Sequence, residues 1–148
     1  MTDATAASHP VVRLVEVREE PLDVAEVTAA LGHDAGGAVD LFLGTVRDHD
    51  DDRGVTHLDY SAHPSAAEAM REVAAEVAEE YDVLAVAAVH RVGRLAIGDV
   101  AVITAVVTAH RAEAFVAGKA LIDRLKERTP IWKHQVFADG DEEWVNTP

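Results

Sequence analysis

Residues 83–108 read VLAVAAVHRVGRLAIGDVAVITAVVT, and the succession of elements in this stretch decides the fold. Two runs within it, 83–89 and 100–108, are almost wholly Val, Ile and Ala, the composition of strands buried on both faces. Gly93 and the Gly98-Asp99 pair punctuate the link between them. The two runs are therefore expected to pair as a hairpin-like unit. Strands in direct succession, with no helix between them, do not fit a regular βαβ alternation.

On the N-terminal side of this unit, residues 64–81 open on Pro64 and are rich in Ala and Glu. Ala67, Met70, Val73, Ala74 and Val77 recur there at three- and four-residue steps, which predicts a helix whose apolar face covers a sheet. On the C-terminal side, residues 111–128 predict the last helix, with Phe115, Ile122 and Leu125 facing inward, and Pro130 prevents its continuation. Residues 131–138 resume as a strand. Earlier in the chain, VVRLVEVR at 11–18 alternates at period two, as a strand with one buried face does. Residues 21–31 place Leu22, Val24, Ala25, Val27 and Leu31 at helical spacing, with Gly32 as a stop. Strands are predicted at 38–46, introduced by Gly36 and Gly37, and at 55–62, with DHDDDRG at 48–54 as the loop between them. Residues 1–10 read as a loose tail and 11–148 as one domain. The fold expected is α+β: a single domain with helices packed on a mixed or mainly antiparallel sheet.

Composition narrows the function. The chain has 148 residues, 49% of them hydrophobic, enough to close a core. Thirteen Lys and Arg against 27 Asp and Glu leave a net charge of −14, which repels nucleic acid and anionic membranes, so neither is expected as a partner. The absence of cysteine removes disulfides, thiolate metal sites and a cysteine nucleophile, and any sulfur chemistry would need an outside donor. The N-terminus lacks the basic start and apolar stretch of an export signal, and no apolar stretch reaches the ~20 residues of a membrane span; a cytoplasmic location is expected. Asp48, Asp50, Asp51 and Asp52 lack the ligand spacing of an EF-hand and read as a solvated, mobile loop. The eight histidines form no HExxH, and Walker and dinucleotide fingerprints are absent, so no metal and no cofactor is expected. Trp132 and Trp144 read as packing residues.

One basic island interrupts the acidic chain. Between Thr104 and His134, six basic residues face three acidic ones, a local net of +3 that leaves −17 for the remainder. Captured anion and solvated helix surface both fit that count. His110 ends a strand and Arg111 begins a helix, where unpaired N–H groups and the helix dipole favour a phosphate. Lys126 near the end of that helix and Lys133 after Pro130 can be turned toward one cavity. Two close ammonium groups depress each other's pKa and favour a neutral lysine able to act as base or nucleophile.

The segments GAVDLFLGTVR (37–47), HRVGRLAIGD (90–99), TAHRAEAF (108–115) and LKERTPIWKHQ (125–135), with the closing WV (144–145), resemble the large catalytic subunit of molybdopterin synthase, the MoaE family. The likeness spans residues 36–145. It implies an α/β-hammerhead-like fold and sulfur transfer from the C-terminal Gly-Gly thiocarboxylate of a small ubiquitin-like partner (MoaD-like) to cyclic pyranopterin monophosphate, forming the dithiolene of molybdopterin. It also implies a homodimer within a heterotetramer. By the same resemblance Arg47, His110 and Arg111 hold phosphate and pterin, Thr45 and Val46 line the site, and Phe42 shapes its wall. Lys126 and Lys133 are the implied catalytic pair, and His134 and Gln135 the flanking substrate contacts. Many relatives carry a glutamate where this chain has Gln135, which can hydrogen-bond but cannot serve as a base. The second HR pair, His90-Arg91, reads as structural because it enters a hairpin. Two rivals stay open at this point: a non-catalytic anion-binding or interaction module of the same fold, and a phosphate-ester hydrolase needing no sulfur donor.

Overall fold

A computed structural model describes residues 9–50 and 52–145. Most of the predicted tail and Asp51 of the acidic run lie outside the described residues. Among the described residues, nine strands and three helices follow one another as β1 Val12–Arg18, α1 Val24–Ala29, β2 Ala38–Thr45, β3 His49–Asp50, β4 Arg53–Ala62, α2 Ala66–Glu80, β5 Val83–Arg91, β6 Gly93–Ala96, β7 Val100–Thr108, α3 Arg111–Arg128, β8 Ile131–Phe137 and β9 Glu142–Val145.

The central pair forms as its composition predicts. β5 and β7 run antiparallel, with Ala85 opposite Val107 and Val89 opposite Ile103. They form the middle of a four-stranded sheet ordered β1-β5-β7-β2. β1 joins parallel to β5 and β2 antiparallel to β7, so the sheet is mixed. Successive side chains go to opposite faces. Val86, Ala88 and Val106 pack with Met70, Val73 and Val77 of α2 and Ala117, Leu121 and Leu125 of α3. Ala85, Ala87, Val89, Ile103, Ala105 and Val107 meet Val27 and Leu31 on the other side. Burial on both faces is why these strands carry no alternation.

A second sheet carries β3-β4-β8-β9, with β6 also paired to β4. Here the structure goes beyond the sequence expectations. β6 and β9 were not anticipated, being four residues each. The acidic segment contributes a strand: β3 pairs with the start of β4, His49 opposite Gly54, and Asp52 lies in the turn at a positive φ of 63°, a conformation in which Asp is enriched. α1 is shorter than the predicted 21–31, because the Asp23 side chain accepts from the Ala25 N–H and fixes its start. α2 likewise begins at Ala66, after Pro64 and Ser65.

α3 has the predicted bounds and buries Leu125 as expected, with Ile122 half-buried at the cavity, but Phe115 does not face inward. Ala114, Ala117, Gly118, Leu121 and Leu125 are buried, whereas Phe115 is 64% exposed. Small residues allow the helix to lie close on β2: a Cβ at Gly118 would collide with the Asp40 carboxylate. Phe115 lies beside that stripe and points out. Among the described residues no helix is long and apolar enough to cross a membrane.

Candidate active site

A cavity of about 250 Å³ opens where the end of β2, the last turn of α3 and the start of β8 meet. Its wall includes Phe42, Thr45 and Arg47 from the β2 end, Lys126 from α3 and Lys133 from β8. Local sequence explains the convergence. α3 closes with the Thr129 N–H on the Leu125 carbonyl at 3.0 Å, Pro130 blocks another turn, and the chain enters β8 at once. Lys133 stands opposite Tyr60 in the β4–β8 ladder, and cross-strand partners project to the same side of a sheet. Tyr60 also lines the cavity.

Lys126 behaves as an amine crowded by protein atoms and facing a second cation should. Burial, then the charge of Lys133, pulls the Lys126 pKa below its usual value. The Lys126 side chain keeps contact with solvent through the open mouth, so the depression comes from an ammonium crowded by protein atoms rather than sealed from water. Tyr60, half-buried beside it, is raised by burial to about 12 and stays a neutral phenol. Buried His90 is held to about 4, chiefly by desolvation, and is neutral at physiological pH.

The basic island divides. Arg124 and Arg128 reach across to α2, where Arg124 pairs with Glu80 at 2.8 Å and Arg128 with Glu76 at 2.7 Å. Lys119 pairs with Asp123 on its own helix. These charges tie helices together or cover the surface, and do not line the cavity.

Other predicted contacts lie elsewhere. His110 is the N-cap residue of α3 and Arg111 its first residue, both exposed. Lys126 lies fifteen residues further on, about 22 Å along the axis at 1.5 Å per residue. One chain therefore does not bring His110 and Arg111 to the lysine cavity: of the five side chains, Arg47, Lys126 and Lys133 line it. The Val46 side chain is buried with Leu58, Leu95 and Ala101 behind the site. His134 stacks on Trp144 at 4.6 Å and bonds Glu142 at 2.7 Å. Trp144, read as a packing residue, is 65% exposed apart from that stack.

The model of the MoaE protein family matches residues 17–128, well over half of the chain. The chain belongs to the MoaE family. A molybdopterin synthase catalytic subunit from Halalkalibacterium halodurans is 40% identical over 130 residues, 87% of this chain and 83% of that one. Molybdopterin synthase catalytic subunit 1 of Mycobacterium tuberculosis is 37% identical over 139 residues, covering 93% and 92%. Among solved structures, that of molybdopterin synthase from Staphylococcus aureus superposes with a TM-score of 0.83 at 32% identity, covering 88% of this chain and 96% of that one.

Against this MoaE-family background, two residues take unexpected places. The His90-Arg91 pair splits: Arg91 is structural, its guanidinium donating to Asp99 at 3.2 Å and to the Glu19 carbonyl at 3.1 Å, but His90 lines the cavity. A strand histidine gives no sequence signal for this, since alternation says which face it takes and not whether that face is hollow. Gln135 is buried outside the cavity wall, its amide donating to Asp50 at 2.9 Å and Glu143 at 3.0 Å. Asp50 in turn lies 3.7 Å from the Arg47 guanidinium. Gln135 is thus linked to the rim residue Arg47 through Asp50. Substituting a glutamate here would set a third carboxylate against Asp50 and Glu143. Gln135→Glu is expected to lose about 1–3 kcal/mol of stability, with the loss growing as pH rises and the new carboxyl ionises; thermal melts at pH 4 and pH 7 check it.

Proposed function

We propose that this chain is the catalytic subunit of a molybdopterin synthase, a cytoplasmic sulfurtransferase. It would take sulfur from the thiocarboxylated C-terminus of a small MoaD-like carrier and build the dithiolene of molybdopterin on cyclic pyranopterin monophosphate. The observation that carries the reading is the paired amines of Lys126 and Lys133 on one cavity with Arg47 at its rim, in a chain of this family. A cysteine-free chain fits a reaction whose sulfur arrives on another protein.

Each group has a task in that reaction. Arg47 attracts the phosphate, Phe42 gives the ring an apolar wall, and Thr45 offers a hydroxyl. Lys126, its amine made easier to deprotonate, protonates the leaving group or briefly accepts the carrier's acyl end. Lys133 assists in acid–base work and holds the anionic sulfur donor by charge. His110 and Arg111 keep their place as phosphate ligands if they come from a second copy, since α3 separates them from their own cavity. Exposed Val39 and Leu43 on the β2 edge, and Phe115 and Val116 on α3, are apolar surface that a homodimer would cover.

Mixing the protein with a thiocarboxylated small subunit and cyclic pyranopterin monophosphate, and following dithiolene formation, tests the proposal. Product that depends on the carrier supports it. Phosphate release by the chain alone would favour an ordinary hydrolase, and carrier binding without turnover a non-catalytic module.

A further inference from the structure

Two buried polar atoms on residues of the cavity wall have no hydrogen-bond partner among the described residues: His90 Nε2 and Thr129 Oγ1. His90 is 4% exposed and Thr129 7%, so neither is solvated as a surface group is. An orphaned polar atom at such depth is costly unless something satisfies it. The tautomer of His90 is set by its other nitrogen, Nδ1, which donates to the Arg91 carbonyl at 2.8 Å. Nε2 therefore carries a lone pair and acts only as an acceptor. Its orientation is held by the backbone on one side and by the edge-to-face ring of Tyr60 on the other, at 4.9 Å and 80°. Thr129, the residue that closes α3, adds a hydroxyl that can donate as well as accept.

We infer that His90 and Thr129 form the hydrogen-bonding wall that recognises the polar edge of a flat N–H-bearing heterocycle, the pterin ring, while the cationic rim takes its phosphate. The inference rests on the proposed function and specifies which residues read the ring. A pterin offers amino and ring N–H donors beside ring acceptors along one edge, which complements a fixed acceptor and a hydroxyl on the wall of one cavity. The phosphate supplies attraction for any anion; the wall supplies selection among anions.

Calorimetric titration of cyclic pyranopterin monophosphate into parent and variant proteins tests this. His90→Phe and Thr129→Val, which remove the polar atoms and keep the bulk, are each expected to weaken binding roughly five- to a hundredfold. His90→Gln, whose amide oxygen lies near the place of Nε2, and Thr129→Ser are expected to recover most of that loss. A purely structural role would not give such rescue. If His90→Phe does not fold, Thr129→Val carries the test, together with the resonance of the labelled His90 Nε2 in the parent protein, which must shift upfield when its lone pair accepts a hydrogen bond from the pterin. Parental affinity in both Phe and Val variants, or no rescue by Gln and Ser, overturns the inference alone. No binding by the parent protein overturns the functional reading and this inference with it.

Discussion

Lys126→Ala is expected to fold, to dock the small carrier, and to form dithiolene about a hundred- to ten-thousandfold more slowly than the parent, the range for loss of a positioned acid–base group. The fold should tolerate the change because the Lys126 side chain is not part of the packed core. Its pH dependence separates the two tasks assigned to it. If the neutral amine accepts the acyl group, the rate rises with pH through the Lys126 pKa. If the ammonium gives a proton to the leaving group, the rate falls there. In both cases the ionisation lies below the ordinary lysine value of about 10.4, because burial and Lys133 depress it. Lys133→Met removes the neighbouring charge, so the same ionisation must move to higher pH in whatever activity remains. Steady-state profiles of parent and Lys133→Met proteins provide the measurement.

A second large effect follows from the length of α3. Arg111→Ala and Lys126→Ala proteins should each be nearly inactive alone, yet regain activity when mixed under conditions that let subunits exchange. In a mixed dimer, one cavity would combine the intact Lys126 of one copy with the intact Arg111 of the other. Random pairing in a twofold-symmetric dimer makes about a quarter of all cavities complete, so about a quarter of parental activity should return. Cavities built from a single chain would give no recovery.

How far the sequence carries this picture depends on the residue. Uninterrupted Val, Ile and Ala made β5 and β7 legible, and Arg111 with Pro130 bounded α3, because those signals are local. The closeness of Lys126 and Lys133 was legible for the same reason, with one forced chain break separating them. β6 and β9 were not, since four residues next to a glycine carry too little periodicity to stand out. Phe115 misled because size suggested burial, whereas the close approach of α3 to β2 selects Ala and Gly for the inner stripe. His110 and Arg111 share a motif with the site by family resemblance, yet an eighteen-residue helix sets them far from Lys126, a separation that motif matching ignores. The place of His90 lay beyond reach altogether: it depends on a cavity formed where β2, α3 and β8 meet, none of them next to β5 in the chain.

On the proposed function, the hollow between Lys126, Lys133 and Arg47 is where the phosphorylated pterin is held. A crystal structure of the protein soaked with cyclic pyranopterin monophosphate addresses it most directly. Density is expected for the ring against His90 and Thr129, with the reacting carbons facing the two lysine amines and the phosphate at Arg47. Density for the pterin on another surface, or an empty hollow at a ligand concentration that saturates binding in solution, would contradict it.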